Sequence, residues 1–232
     1  MLFRKGGWRF SHISNSGFLR LYIFMEISTV FTIVIGVALI NNYVLSQFLG
    51  LCPFIGVSKK TDAALGMGMA VIFVMTLASA VTWIIYTYLL KEGNIFGVPD
   101  LSPVLKTASY ILVIASLVQL VEMFLKKTMP ALYQSLGIYL PLITTNCAIL
   151  GVSLLNTTDA PAATIITQTN FLAAVLQGFS GGLGFTLVLL LMSGIRERLE
   201  MLPIPKSLQG IPIAFICTGL MAFAFQGFLG LI

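Results

Sequence analysis

Long apolar stretches separated by short polar breaks dominate the pattern of this chain. Six such stretches follow residue 24, and each has the roughly 20 residues that a helix needs to cross a bilayer. They lie near residues 27–49, 64–90, 103–126, 131–155, 170–195 and 209–232. The pattern therefore predicts an all-α integral membrane protein with six transmembrane helices.

The composition supports a membrane location and excludes a nucleic-acid partner. Of the 232 residues, 58% are hydrophobic and 9% are charged, against about 25% charged residues in an average soluble domain. The formal net charge of +5 comes from basic residues between the apolar stretches, where they anchor loops at the membrane surface. We therefore expect membrane lipid, and no nucleic acid, around the chain.

The first 24 residues differ from the rest. They are basic and lack both acidic residues and the separate apolar core and cleavage site of a secretory signal, although a transit peptide would share their composition. The first apolar stretch opens directly after Met25-Glu26, so an upstream start codon accounts for these residues most simply. We therefore treat 1–24 as a leader outside the fold and 25–232 as a single membrane domain.

The basic residues of the short loops predict the orientation of the chain, because cytoplasmic loops carry an excess of Lys and Arg. Seven basic residues follow the odd-numbered spans and two follow the even-numbered ones. The seven are Lys59, Lys60, Lys126, Lys127, Arg196, Arg198 and Lys206, and the two are Lys91 and Lys106. The odd loops are therefore expected in the cytoplasm and both termini outside.

A short motif occurs twice in the chain. Residues 52–58 and 147–153 both read C-x-x-x-G-V-S, and a G-x-G step follows one helix later in each case, at 66–68 and at 182–184. This spacing predicts a three-helix unit that is repeated, with repeat one at 25–126 and repeat two at 127–232. Because three is an odd number of spans, the second unit must enter the membrane from the opposite side, which gives a 3+3 inverted repeat. The glycines are expected to permit close helix contact.

Residues that interrupt helices lie close to both motifs. Asn41-Asn42, Gly50 and Pro53 lie in or just after span one, and Pro141 and Thr144-Thr145-Asn146 lie in span four. Each proline removes a helix hydrogen bond, and unsatisfied backbone at membrane depth is tolerated only where it lines a cavity or meets protein. We therefore expect broken or re-entrant half-helices in spans one and four.

The two motif cysteines are the candidate site residues. If the inverted units meet at the midplane of the membrane, Cys52 and Cys147 approach each other there. Two thiolates are half of the four that a zinc or iron–sulfur centre needs, so a partner would supply the others. Two matched thiols at helix breaks favour such a site over ordinary packed thiols or a disulfide. Cys217 has no counterpart in the repeat and is expected to be a packed thiol.

Polar residues flank the same breaks. They are Asn41, Asn42, Thr145 and Asn146. Such residues commonly cap half-helices, and they could also donate hydrogen bonds to the sulfurs of a cluster or coordinate a passing cation. We treat them as candidates for a second layer of residues around the two thiols.

The motifs resemble those of a known family. The runs NNYVLSQFLGLCPFIGVSKK (41–60) and LPLITTNCAILGVSLLN (140–156), with IRERL at 195–199, are similar to the A-type subunit of the Rnf-type ion-translocating ferredoxin:NAD oxidoreductase. The E-type subunit of the sodium-translocating NADH:quinone reductase is a close relative. Asn41-Asn42 and Leu51-Cys52-Pro53-Phe54 favour the Rnf type. The resemblance runs from about Met25 to Ile232.

The resemblance implies a specific role. In such complexes this subunit pairs with a homologous E-type subunit of opposite topology, and together they hold a 2Fe–2S cluster within the bacterial or archaeal cytoplasmic membrane. Each chain gives two cysteines, which here are Cys52 and Cys147. The cluster would relay electrons between other subunits (B, C, D and G types) that carry FMN and further iron–sulfur clusters. No flavin or nicotinamide motif occurs in this chain, so it contains no complete active site.

Two other classes of function fit parts of the pattern. An inverted-repeat secondary transporter also uses broken helices, but it needs no paired cysteines. A purely structural membrane scaffold would tolerate Cys→Ser at both positions.

Overall fold

The structure is a computed structural model that describes residue 31 and residues 34–90, 102–128, 140–156, 171–203, 205 and 207–227. The expected leader, both chain termini and residues 91–101, 129–139 and 157–170 lie outside these residues. Within them all regular structure is helical and no strand occurs, which confirms the predicted all-α class for this part of the chain.

Seven α-helices and two π-helical turns occur in the described ranges. The α-helices are α1 (Leu51–Val57), α2 (Thr61–Ile85), α3 (Ser102–Thr128), α4 (Leu140–Thr144), α5 (Cys147–Leu155), α6 (Phe171–Glu200) and α7 (Ile211–Gln226). One π-helical turn, Gly36–Ile40, precedes α1, and the other, Tyr86–Leu90, continues α2.

Three described segments are long and apolar enough to cross a membrane. They are Thr61–Tyr88, Lys106–Phe124 and Phe171–Glu200, which correspond to predicted spans two, three and five. The apolar helical segments Leu142–Leu155 and Ile211–Gln226 are shorter. The expectation that Arg196 and Arg198 lie in the loop after span five is wrong, because α6 continues to Glu200. Arg, Glu and Leu are good helix formers, so these charges extend the helix beyond its apolar part.

The helix breaks predicted in spans one and four are present, but the two prolines do not cause them. The chain leaves the helical state at Asn41 and resumes it at Leu51, while the second break covers Thr145-Asn146. Pro53 is the third residue of α1 and Pro141 the second residue of α4. The N–H groups of a first helical turn have no intrahelical acceptor, so proline removes no bond there. For Pro53 the expectation that it removes a helix hydrogen bond is therefore wrong, whereas the residues that precede Leu140, on which the case of Pro141 depends, lie outside the described residues.

The centre of the fold is the contact between α2 and α6, around which α3, α5, α7 and the first π-helical turn pack. Glycines of the two G-x-G steps lie at this contact, as expected. A Cβ atom on Gly182 would lie 2.7 Å from Ile72 Cα, and one on Gly68 would overlap the Thr186 side chain. Ser79 and Thr82 of α2 and Gln177 and Ser180 of α6 are buried together with apolar side chains.

Candidate cofactor site at the two helix breaks

The structure brings the two cysteine motifs together. Cys52 is the second residue of α1 and Cys147 the first residue of α5. The backbone N–H of Gly50, two residues before Cys52, donates a hydrogen bond of 2.9 Å to Cys147 Sγ. Residues 97 positions apart in sequence therefore meet at one place, where both helices begin.

Both motif thiols are exposed on the surface of the chain. Cys52 and Cys147 are free and exposed, so the alternative of thiols packed inside this chain does not describe them. Cys217 differs, because it is half-buried and packs against the hydrophobic core, as expected. Exposed thiols are available to a ligand or to a neighbouring chain.

The backbone and the packing at position 50 favour glycine. Its backbone is left-handed, with φ 81° and ψ 23°. A Cβ atom there would lie 2.9 Å from Phe185 Cε2 and 3.0 Å from Asn146 Oδ1. Both the backbone conformation and the close packing therefore exclude a side chain, and both bring the Gly50 N–H to the sulfur of Cys147.

Two buried asparagines fix the breaks in the same manner. Asn42 Oδ1 accepts from the Val44 N–H, and Asn146 Oδ1 accepts from the Ala148 N–H, each at 3.0 Å. Asn146 is thereby the N-cap of α5. The capping role expected for these asparagines is confirmed for Asn146, whereas the Asn42 bond lies in a turn and caps no helix. Asn41 is half-buried and ends the first π-helical turn.

The Asn146 side chain also has an unused donor. Its Nδ2 is buried and has no hydrogen-bond partner among the described residues. Burying an amide N–H without an acceptor costs about 1 to 3 kcal/mol, so an acceptor at this point would be favourable. Thr145, beside it, is exposed.

The first break is also tied to α6. Asn42 Nδ2 donates to the Gly184 carbonyl at 2.9 Å, and Gln177 Nε2 donates to the Tyr43 hydroxyl at 3.0 Å. Asn42, Tyr43 and Gln177 are all buried. These bonds satisfy polar groups of a segment that is neither helix nor strand. Such groups need partners within the protein, because the membrane interior contains no water to bind them.

The glycine of each C-x-x-x-G-V-S motif packs against the segment that precedes the other motif. A Cβ atom on Gly151 would lie 2.6 Å from Leu49 Cδ1, and one on Gly56 would lie 3.7 Å from Leu142 Cδ2. Leu49 precedes Cys52 and Leu142 precedes Cys147. Each motif glycine therefore lies beside the segment that leads to the other motif's cysteine.

Two charged residues of α6 hold the turn after α1, and sequence reasoning missed them. Arg196 is buried, and its Nη1 donates to the Ile55 carbonyl at 2.7 Å and to Ser58 Oγ at 2.9 Å. Glu197 Oε1 accepts from the Thr61 N–H at 3.0 Å. We call Arg196 and Glu197 the α6 clamp. Their only signal in the sequence was the IRERL motif, which we interpreted as loop charges.

These residues fit half of a cluster site. Thiolates are the usual ligands of iron–sulfur clusters, and hydrogen bonds to the sulfurs, such as the one from Gly50, accompany them. Among the residues that the structure describes, no third His, Cys, Asp or Glu joins the two thiols. The described residues can therefore offer two thiolates, half of the four ligands that such a cluster uses.

Comparisons with known proteins agree with the motifs. The profile of the Rnf-Nqr family, described as "Rnf-Nqr subunit, membrane protein", matches residues 22–232. The chain is 54% identical over 199 residues to the A-type subunit of the ion-translocating oxidoreductase complex of Azoarcus sp. (strain BH72). The alignment covers 86% of this chain and 95% of the relative. It is 51% identical over 203 residues to the A-type subunit of the Na(+)-translocating ferredoxin:NAD(+) oxidoreductase complex of Acetobacterium woodii. That alignment covers 88% of this chain and 98% of the relative.

Proposed function

Since the chain belongs to the Rnf-Nqr family of membrane subunits, we propose that it is the A-type subunit of a redox-driven ion pump, an Rnf-type ferredoxin:NAD oxidoreductase of the bacterial cytoplasmic membrane. The similar proteins named above are A-type subunits of ion-translocating oxidoreductases, which favours this role over the equivalent subunit of the NADH:quinone reductase. The identity spreads over nearly the whole length of these relatives.

We further propose that Cys52 and Cys147 are iron ligands of a 2Fe–2S cluster that this chain shares with a homologous subunit. The observation that carries the proposal is the hydrogen bond between Gly50 and Cys147, because it joins the two motifs at a surface where both thiols are exposed. At an interface they supply half of a ligand set.

The cluster, when bound, supplies the capacity to accept and release single electrons. The residues of this chain hold it and adjust it. Cys147 begins the nine-residue helix α5, so an iron-bound sulfur there would lie at the positive end of the helix dipole. The Gly50 N–H donates to the same sulfur and further stabilises its negative charge. The Asn146 Nδ2 group lies next in sequence to Cys147 and offers a second donor.

The proposal includes an inverted repeat of two three-helix units. Two paired features support it: both breaks precede a motif cysteine, and Gly56 and Gly151, each four residues after its cysteine, lie beside the segment that leads to the other motif. An inverted repeat would place the two thiols near the midplane of the membrane. The E-type sister chain would present its own pair there.

The other partners and the orientation follow from the same role. We propose that subunits of the B, C, D and G types carry FMN and further iron–sulfur clusters, and that the cluster held by this chain transfers electrons between them. Lys59 and Lys60 are exposed in the turn between α1 and α2, and Lys126 and Lys127 are exposed at the end of α3. These lysines support cytoplasmic odd loops and outside termini.

Iron and acid-labile sulfide of the purified whole complex test the proposal. We expect Cys52→Ser and Cys147→Ser each to lose two iron and two sulfide atoms per complex. Cys217→Ser is the matched control, because that thiol packs against the core, and it should retain both. A transporter or a scaffold would keep the same content in all three variants, and that result would refute the cluster proposal.

A further inference from the structure

The α6 clamp acts on the short helix that carries Cys52. Helix α1 has seven residues, and Ile55, whose carbonyl accepts from Arg196, lies three residues after Cys52. At a rise of about 1.5 Å per residue, the two lie about 4.5 Å apart along the helix axis. A change in the position of the Ile55 carbonyl therefore displaces the backbone of Cys52 as well.

The clamp matches the electrostatics of both helix ends. The last carbonyls of α1 have no intrahelical donor and carry partial negative charge, and Arg196 places a guanidinium on one of them. The first N–H groups of α2 carry partial positive charge, and Glu197 places a carboxylate on one of them. Adjacent residues of opposite sign thus hold the end of one helix and the start of the next.

Helix α1 is consequently fixed at both ends by other parts of the fold. At its start, Gly50 donates to Cys147, and at its end the Ile55 carbonyl and Ser58 accept from Arg196. Arg196 is 9% exposed and Ser58 is fully buried, so water does not compete freely for these bonds. A seven-residue helix held in this way has little freedom to move its cysteine.

We propose that Arg196 and Glu197 are positioning residues for Cys52: they set, from α6, where this thiolate stands relative to Cys147. The inference rests on the proposed function, since it assigns the clamp to the geometry of the shared cluster. Neither residue touches the thiols, and both act through the backbone of α1 and of the turn that follows it.

The test compares Arg196→Gln and Glu197→Gln with Arg198→Gln and Glu200→Gln in the purified complex. The controls remove the same charges from the same end of α6, and the Arg198 and Glu200 side chains are exposed and make no hydrogen bond to any residue that the structure describes. Amide hydrogen exchange over residues 51–60 measures the clamp itself. We expect exchange about tenfold faster in Arg196→Gln, because a buried hydrogen bond from a charged donor is lost, and no change in the controls.

Electron paramagnetic resonance and a redox titration of the same samples measure the position of the ligand. The inference predicts that Arg196→Gln keeps the 2Fe–2S signal but shifts its g values and midpoint potential, whereas the controls match the wild type. Unchanged exchange in Arg196→Gln would refute the clamp. Faster exchange with unchanged g values and potential would refute positioning and leave a purely structural role.

Two further outcomes keep the test decisive. If Arg196→Gln prevents assembly, Glu197→Gln supplies the same comparison, because it removes the negative charge that faces the Thr61 N–H and leaves the buried guanidinium in place. If the wild-type complex shows no 2Fe–2S signal, the proposed function fails and positioning fails with it. The exchange measurement would still report whether the clamp holds α1, so the two failures are distinguishable.

Discussion

The backbone N–H of Gly50 donates to the sulfur of Cys147 at 2.9 Å. This bond joins the residue that ends one helix break to the first residue after the other. It requires a left-handed backbone at Gly50 and close packing against Phe185 and Asn146. The candidate site is therefore a junction of two breaks that the rest of the fold holds in contact.

The junction predicts that Gly50→Ala damages the site beyond its cost in stability. A left-handed conformation costs a non-glycine residue about 1 to 2 kcal/mol, and the new Cβ atom would overlap Phe185 and Asn146. We expect a lower thermal unfolding midpoint and a loss of cluster iron from the complex. Scanning fluorimetry and iron analysis measure the two effects.

Gly210→Ala is the control for this variant. Gly210 also has a positive φ, 88°, but a Cβ atom there would meet nothing within 4 Å. Its substitution should lower the unfolding midpoint and leave the iron content unchanged. Equal iron loss in both variants would show that backbone strain, and not the Gly50 junction, is responsible.

Asn146→Ser distinguishes two roles of Asn146, as the cap of α5 and as a hydrogen-bond donor to the cluster. Serine retains an oxygen that can accept from the Ala148 N–H, so the helix should remain capped and stability should change by less than about 1 kcal/mol. It removes the buried Nδ2 donor. If that donor stabilises the reduced cluster, its loss lowers the midpoint potential. A redox titration that gives the wild-type potential would assign Asn146 to capping alone.

Gly182→Ala tests the contact between α2 and α6. The new Cβ atom would lie 2.7 Å from the Ile72 backbone, so the helices must separate at a cost of about 1 to 3 kcal/mol. Gly194, on the same helix, has open space around it, and alanine there should be neutral or stabilising by up to about 1 kcal/mol. Thermal unfolding measures the difference between the two variants. Equal unfolding midpoints for Gly182→Ala and Gly194→Ala would contradict this packing.

The proposed orientation predicts which loops a membrane-impermeant maleimide can reach. Lys91→Cys, in the loop after span two, should react in intact spheroplasts. Lys59→Cys, exposed in the turn between α1 and α2, should react only after the membrane is opened. The unsubstituted chain provides the background from its own three cysteines. The reverse pattern of labelling would place both termini in the cytoplasm.

The repeated motif made the main features of the site predictable. Cys52 and Cys147 could be paired from sequence, because the two identical motifs lie beside residues that interrupt helices. Asn146 could be identified as a cap, since asparagine before an apolar run commonly has that role. The close contact of α2 with α6 also followed from the G-x-G steps.

Other features depend on tertiary contacts that no local pattern encodes. The prolines drew attention to the wrong positions, because Pro53 lies in the first turn of α1, after the first break, and Pro141 lies in α4, before the second break. Arg196 and Glu197 resembled ordinary loop charges, and only the fold shows that their partners are Ile55, Ser58 and Thr61. A backbone acceptor 141 residues away cannot be chosen from sequence alone.

The central claim is that Cys52 and Cys147 hold a shared 2Fe–2S cluster. The most direct measurement is the electron paramagnetic resonance spectrum of the reduced whole complex that carries Cys52→Ser, Cys147→Ser or Cys217→Ser. Our account predicts that one 2Fe–2S signal disappears or is strongly altered in the first two variants and remains unchanged in the third. An unaltered 2Fe–2S signal in both Cys52→Ser and Cys147→Ser would contradict it.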